Sequence, residues 1–336
     1  MTKAEMLQRE QVVNTLDRID AARLEMPHTE SFQHDRICEA NASSFDEAHL
    51  SEPLTDYAVD WRDESGLDEA LDFYAPEVPV GQRFEYRSWV NADEFENDEN
   101  DERAIGEDFK TIYQGGSLVQ DKLLNRGLQI FVDEDEVNGD PNWRERRTGK
   151  LLRRLKRNSL IRAVNLLLAA APNAALTWDT SAGKDPDQDI EDMLAAAGDS
   201  SGMDPNRVAY GRTAWLKRKK SHRAQDTAGG TQSAFLNPSD LAASLGIDEA
   251  FVAKARYGTG ASKTRLMGDI VLAFTAYRGL GPDDPSNIKR FYQMLDGQRY
   301  RVYEWRMGPK KYAIAVEHYE RTRITTLLGL AKRTIS

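Results

Sequence analysis

The chain has 336 residues, 40% hydrophobic and 30% charged, with a net charge of −10 and one cysteine. That length holds two or three ordinary domains or one large elaborated subunit, in the balance of a water-soluble globular chain. No run of 18 apolar residues exists, which excludes a membrane-spanning helix, and Cys38 alone makes no internal disulfide and no zinc cluster. Lys3, Glu5 and Arg9 stand where a secretory signal would be apolar, so the sequence predicts a chain folded in a reducing cytoplasm. The charge is unevenly spread. Residues 1–140 carry 12 Lys and Arg against 35 Asp and Glu, a balance of −23, and the remainder balances at +13. Such a split fits two halves that face different partners, or that face each other between neighbouring copies; it also fits two solvated surfaces that merely differ.

In chain order, Met6, Val13, Leu16, Ile19 and Leu24 recur at mostly helical intervals, and Pro27 stops the pattern. Residues 25–78 are acidic, with scattered aromatics and no period. They predict an extended arm that borrows another surface, or disorder. RFEYRSWV, 83–90, alternates, with Phe84, Tyr86 and Val90 on one side and Arg83, Glu85, Arg87 and Trp89 on the other. Residues 91–104 then hold seven carboxylates and one arginine. FKTIY, 109–113, resumes a strand pattern before Gly115 and Gly116 break it. Together these predict a long hairpin with an acidic tip. LQIFV, 128–132, predicts a further strand.

Residues 141–171 give the strongest single pattern. Leu151, Leu152, Leu155, Leu160, Ile161, Val164, Leu167, Leu168 and Ala171 form one stripe, bounded by Pro141 and Pro172. The predicted helix, 144–171, would be roughly 40 Å long. Its first half carries Arg144, Arg146, Arg147, Lys150, Arg153, Arg154, Lys156 and Arg157. Beyond it the expectation is short strands alternating with short helices. Strands are predicted at 175–178, 208–210, 251–257 and 270–274. Helices are predicted from Asp185-Pro186 to Gly198, over 214–220, and from Asn237-Pro238 to Gly246. Strands at 300–305, 312–318 and 324–328 close the chain, and the class is α+β.

Sites for chemistry are weak. GTGASKT, 258–264, lacks the GxxxxGK[ST] spacing of a phosphate loop and reads as a turn between strands. DPDQDIEDMLAA, 185–196, has Ile190 and Ala196 where a calcium loop needs Gly and Glu, so it reads as a capped helix. None of His28, His34, His49, His222 and His318 stands near a GxSxG elbow, and His318 reads as a structural histidine. The basic half-helix fits non-specific contact with phosphates, or an acidic segment of a neighbouring copy, equally well.

The order of parts, with RAIGEDFKTI (103–112), LLNRGLQIFVDEDEV (123–137), TWDTSAGKDPDQDIEDML (177–194), DPNRVAYGRTAWLKRKKS (204–221) and the stretch from DDPSNIKRFY to the end (283–335), resembles the major capsid proteins of tailed phages, with the HK97-like fold. The resemblance covers roughly residues 75–336. It implies an N-terminal helix and extended arm over 1–78 and an extended hairpin loop over 79–127. It also implies a peripheral domain from 128–174 and 283–336, including the spine helix, and an axial domain from 175–282. It further implies a structural role without catalytic, cofactor or metal residues. Pentamers and hexamers would close into an icosahedral shell around double-stranded DNA, assembled in the host cytoplasm, with portal, scaffolding or decoration proteins as possible partners and no membrane. On this reading Trp89, Asp93, Glu94, Phe95, Glu96 and Asp98 of the hairpin meet a neighbouring subunit. Arg144, Arg147, Arg153, Arg154 and Arg157 face the genome or an acidic neighbour. Two other readings stand beside it: an encapsulin-like compartment, which shares the fold and encloses an enzyme, and a hydrolase or nuclease with an acidic site.

Overall fold

Leu54 and Ala58, and then Leu67, Ala70, Leu71 and Tyr74, fall on single helical faces. In the computed structural model residues 52–74 accordingly fold as two helices, α1 (Glu52–Asp60) and α2 (Leu67–Tyr74). The structure describes residues 49–89, 102, 116–137, 139–225, 228–258, 263–279 and 281–336, all within one compact unit, His49–Ser336. The expected helix in 1–24 and the strand at 109–113 lie outside these residues. The patternless arm expected over 25–78 is corrected over its second half, 52–78. Its helices are short and interrupted by turn residues, so no long period shows, yet each buries a full apolar face on its own chain.

A short strand β1 (Glu77–Pro79) follows, then β2 (Arg83–Ser88), β3 (Ser117–Lys122) and β4 (Leu124–Asp133). β2 and β3 form an isolated antiparallel ribbon in register from Arg83↔Lys122 to Ser88↔Ser117. The described part of the hairpin therefore closes further along the chain than 109–113. After a single helical turn, α3 (Glu134–Val137), the long helix α4 runs Trp143–Ala170, within a residue of its expected bounds.

Next come β5 (Asn173–Leu176), α5 (Pro186–Ser201), β6 (Arg207–Gly211), α6 (Arg212–Ala224), α7 (Ala228–Phe235) and α8 (Pro238–Ser244). They lead into β7 (Glu249–Ala253), the small pair β8 (Arg256–Tyr257) and β9 (Thr264–Arg265), and β10 (Ile270–Phe274). α5 passes through Gly198, the expected stop, and ends at Gly202, which takes φ 69°. Gly198 instead lets the Asp204 carboxylate lie against the helix, and a Cβ there would make that side chain swing aside. The chain closes with β11 (Ile288–Tyr292), β12 (Arg301–Arg306), β13 (Lys311–Ile324) and β14 (Ala331–Ile335). The expected strand at 324–328 is corrected: Ile324 ends β13, and the last strand lies at 331–335.

Two five-stranded sheets organise these elements. In the first, β13 pairs with β4 along one edge and with β12 and then β11 along the other, and β1 joins β11 in parallel. α4 covers one face, where Leu151, Leu152 and Leu155 meet Val302, Ile314 and Val316, with Leu54 and Ala58 of α1 alongside. The second sheet runs β5-β14-β10-β6-β7. Ile190 and Met193 of α5, Trp215 of α6 and Leu241 of α8 close its core over Val208, Tyr210 and Val271. The last strand thus belongs to the second sheet, and an assignment of all of 283–336 to the layer of the long helix is corrected. Helix α2 sits between the layers. Phe73 stacks on Phe251 of β7 at 5.0 Å and meets Phe274 of β10 edge-on at 5.5 Å. Buried Arg207 donates to the Asp72 and Phe73 carbonyls at 3.0 and 2.6 Å, satisfying the helix end.

Candidate functional site

The β2–β3 ribbon has alternating exposed and buried positions, so only one side can be covered by the body. Phe84 and Tyr86 project from that side onto Phe291, with ring centroids 4.4 and 5.4 Å apart, beside Val78 and Leu123. Asp121 ties the returning strand to β13: Arg323 Nε donates to it at 2.6 Å and Arg321 Nε at 3.3 Å. Burial would raise the Asp121 carboxyl, but these two guanidiniums outweigh it and hold it below the usual range.

Beyond the ribbon, Trp89 is 6% exposed and packs with Leu328 and Met203. Its indole donates to the Asp283 carbonyl at 3.2 Å, and its own carbonyl accepts from Thr326 at 3.0 Å. The backbone N–H of Arg87 donates to the Asp283 carboxylate at 3.2 Å. The 282–284 turn is held in turn by Lys289, whose buried ammonium donates to the Pro282 and Asp284 carbonyls at 2.6 and 2.7 Å. Asn287 fastens the same region, accepting from Thr275 N–H at 2.6 Å and donating to the Leu328 carbonyl at 2.6 Å. The hairpin therefore leaves a rigid root. Asp283, Asn287, Lys289 and Thr326 were missed as functional residues. DDPSNIK, 283–289, reads only as turn chemistry until β11 is recognised behind it.

Trp89 is consequently corrected as an intersubunit anchor, since its ring is enclosed by its own chain. Asp93, Glu94, Phe95, Glu96 and Asp98 lie outside the described residues.

The basic half of α4 also finds partners within the chain. Arg144 pairs with Glu304 at 2.7 Å, Arg146 with Asp140 at 3.1 Å, Arg147 with Glu136 at 3.8 Å and Arg153 with Asp63 at 2.7 Å. Lys156 is buried over Trp61 and pairs with Asp68 at 2.6 Å. Arg157 donates to the Arg256 carbonyl. Arg154 is exposed and makes no ion pair among the described residues. The acids that meet this face thus come from the chain's own α1–α2 arm, from α3 and the turn after it, and from β12.

Deeper along the same helix lies a buried ionic cluster. The Glu320 carboxylate accepts from Ser159 at 2.7 Å, Arg162 at 2.9 Å and Arg299 at 3.3 Å, with Arg290 at 3.8 Å and His318 at 3.7 Å. Glu77 of β1 takes Arg290 at 2.6 Å and also pairs with Arg299. Burial opposes ionisation of Glu320, but His318 and the arginines prevail and hold it well below the usual carboxylate range. Burial pushes the His318 imidazole down. Helix α4, β1, β11 and β13 are locked together at this point.

Around α5, Asp185 accepts from the Asp187 and Gln188 N–H groups at 3.1 and 3.3 Å, the capped helix expected there. The 258–264 segment connects the paired strands β8 and β9, as a turn should; residues 259–262 lie outside the described residues. Among the described residues no group of three His, Cys, Asp or Glu is disposed to hold a metal ion, and no helix is long and apolar enough to cross a membrane.

No protein-family model and no curated protein matches the chain. Solved structures do. The chain is similar to a phage-related protein from Bordetella bronchiseptica RB50, with 20% identity and a TM-score of 0.63 over 85% of this chain and 97% of that one. It is also similar to the capsid of Myoviridae phage XM1, with 12% identity and a TM-score of 0.50 over 88% of this chain and 98% of that one. The fold is that of phage capsid proteins: mixed α and β, HK97-like.

Proposed function

We propose that the chain is the major capsid protein of a tailed phage. Its copies form pentamers and hexamers that close into an icosahedral shell around double-stranded DNA, in the virion. The role is structural. The observation that carries this reading is the β2–β3 ribbon, firmly rooted at Phe84, Tyr86, Trp89 and Asp121 yet paired, among the described residues, with no other strand, on a body folded like a phage capsid subunit. A ribbon with one apolar side and a highly acidic continuation gains little by standing alone in its own subunit and much by lying on a neighbour. Expression of the full chain, followed by electron microscopy and nucleic-acid quantitation, tests it. Closed shells that take up DNA are expected. Closed shells devoid of nucleic acid that enclose a protein would assign the chain to encapsulin-like compartments, and a chain that stays monomeric at high concentration would overturn the reading.

A further inference from the structure

Residues 250–256, at the outer margin of the second sheet, form one wall of a cleft of about 580 Å³, and α2 and α4 form the other. That volume falls in the range, about 300–1,000 Å³, that receives a small organic molecule. Leu67, Tyr74, Leu160, Phe251 and Leu266 line it with carbon. The Tyr74 hydroxyl is spent on Met267 Sδ at 2.9 Å, so the ring alone is offered to the cleft. The rim is basic: Arg153, Arg157, Lys254 and Arg256 stand on it, and Glu69 is the only carboxylate among the lining residues. Arg153 is committed to Asp63 at 2.7 Å. Arg157, Lys254 and Arg256 are exposed and make no ion pair among the described residues. They also stand together, since the Arg157 guanidinium donates to the Arg256 carbonyl.

Such a cleft makes two demands on an occupant. Water over the carbon floor finds few hydrogen-bond partners and is released at a gain when an apolar group replaces it. The neighbouring cations repel one another and gain by sharing an anion, which guanidiniums bind through paired N–H donors. We infer that the cleft between β7 and the α2–α4 wall is a binding site for a small amphipathic anion. Its apolar tail lies over Phe251 and Leu266, and its carboxylate or phosphate head meets Arg157, Lys254 and Arg256. Duplex DNA answers only half of this chemistry: it presents phosphates at regular intervals and brings no apolar tail to the floor. The occupant touches α2 and α4 on one side and 250–256 on the other, so it ties the first layer of the subunit to the second sheet. The site belongs to the single subunit and goes beyond the shell-forming role.

Isothermal titration calorimetry of the purified full chain with octanoate, decanoate and dodecanoate, each kept below its micellar concentration, tests the inference. One ligand per chain is expected, with affinity rising about fourfold for each methylene added. Saturation should raise the melting temperature, since the ligand binds only the folded chain. Dodecyltrimethylammonium, with the same tail and the opposite charge, should not bind. Lys254→Gln with Arg256→Gln should weaken dodecanoate by about tenfold or more. The melting temperature of the unliganded variant should not move, because both side chains are exposed. Ala255→Trp puts an indole into the cleft and should abolish binding; if that variant does not fold, the glutamine pair alone decides. Absence of dodecanoate binding overturns the inference. So does binding that the glutamine pair leaves unchanged, or that the cationic amphiphile matches, since either would describe a general apolar surface. Inorganic phosphate or a short DNA duplex that binds as tightly as dodecanoate, and is lost in the same glutamine pair, would make the rim a contact for phosphates with no use for the floor and would equally sink the proposal.

Discussion

Glu320 and His318 stand two residues apart on the face of β13 that carries Ile314 and Val316, each 1% exposed. Removing the Glu320 carboxylate leaves Arg162, Arg290 and Arg299 facing one another without their shared acceptor. Loss of one partner from a buried ionic group costs about 3–5 kcal/mol, so Glu320→Ala is expected to lower the urea midpoint of the subunit by that equivalent. His318 adds a separate dependence on pH. Its neighbours are Glu320, Arg299, Arg162 and the Tyr300 ring at 5.2 Å, and burial keeps its folded pKa below the ordinary value of 6.5. The unfolded chain therefore takes up this proton first as pH falls, and the stability it confers is complete above about 6.5 and declines below. Glu320 acts in a different window: its pKa is depressed, so its contribution persists until pH falls below the ordinary carboxylate range, about 4.3. Urea midpoints measured from pH 7.5 to 5 should fall for the natural chain and flatten in His318→Gln; parallel curves would show that His318 is not the titrating group. The same two residues explain a limit of sequence reading. Polar side chains at core-facing positions interrupt the alternation at His318, which is why the strand is expected to end there, when it continues to Ile324 because arginines of α4, β11 and the loop before β12 neutralise Glu320.

Between elements, the contact of α4 with the α1–α2 arm turns on Gly149. A Cβ at this position would lie 2.9 Å from Trp61 Nε1 and 3.3 Å from Tyr57 Oη. Leucine has a helix propensity better than glycine by roughly 0.8 kcal/mol, so any loss in Gly149→Leu must come from the lost fit of the arm. The expected result is a folded body with an arm released for trypsin at Arg62, read as faster cleavage at that bond. Uniform resistance would mean that Trp61 moves aside without consequence. The spine of α4 is less forgiving. Leu155 and Val164 are buried on either side of the ionic cluster, and an unpaired charge there costs several kcal/mol. Leu155→Asp and Val164→Asp should each abolish soluble expression, and normal yield of both would remove α4 from its place at the core. The helix was legible because one apolar stripe persists from Leu151 to Leu167 between two prolines. The α1–α2 arm was not, because nine- and eight-residue helices give too few turns for a period and the pairing of Asp63 with Arg153 and Asp68 with Lys156 spans some 90 positions. The cleft at β7 was equally hidden: its walls come from 67–74, 153–160 and 250–256, which only the fold brings together.

At the scale of the whole subunit, part of the uneven charge of the chain is resolved inside it. Acids of the first 140 residues meet bases of the remainder at Asp63–Arg153, Asp68–Lys156, Glu77–Arg290 and Asp121–Arg323. The run at 91–104, with seven carboxylates to one arginine, is the densest acidic stretch outside these pairings. Charge of that density is costly to bury without cationic partners and supplies register and partner choice when it meets them. The ribbon that carries it is anchored independently of it, through Phe84, Tyr86 and Phe291 on one side and Asp121, Arg321 and Arg323 on the other. Replacing 91–104 by a short Gly-Ser turn therefore separates folding from assembly. The urea midpoint and circular dichroism of the shortened subunit should match those of the full chain, since the contacts that anchor the ribbon lie outside the deleted residues. Sedimentation velocity should show subunits and small oligomers but no closed particles, at low and high salt alike, because the deletion removes apolar and charged contacts together. Closed shells of normal size from the shortened chain would show that the acidic run plays no part in joining subunits.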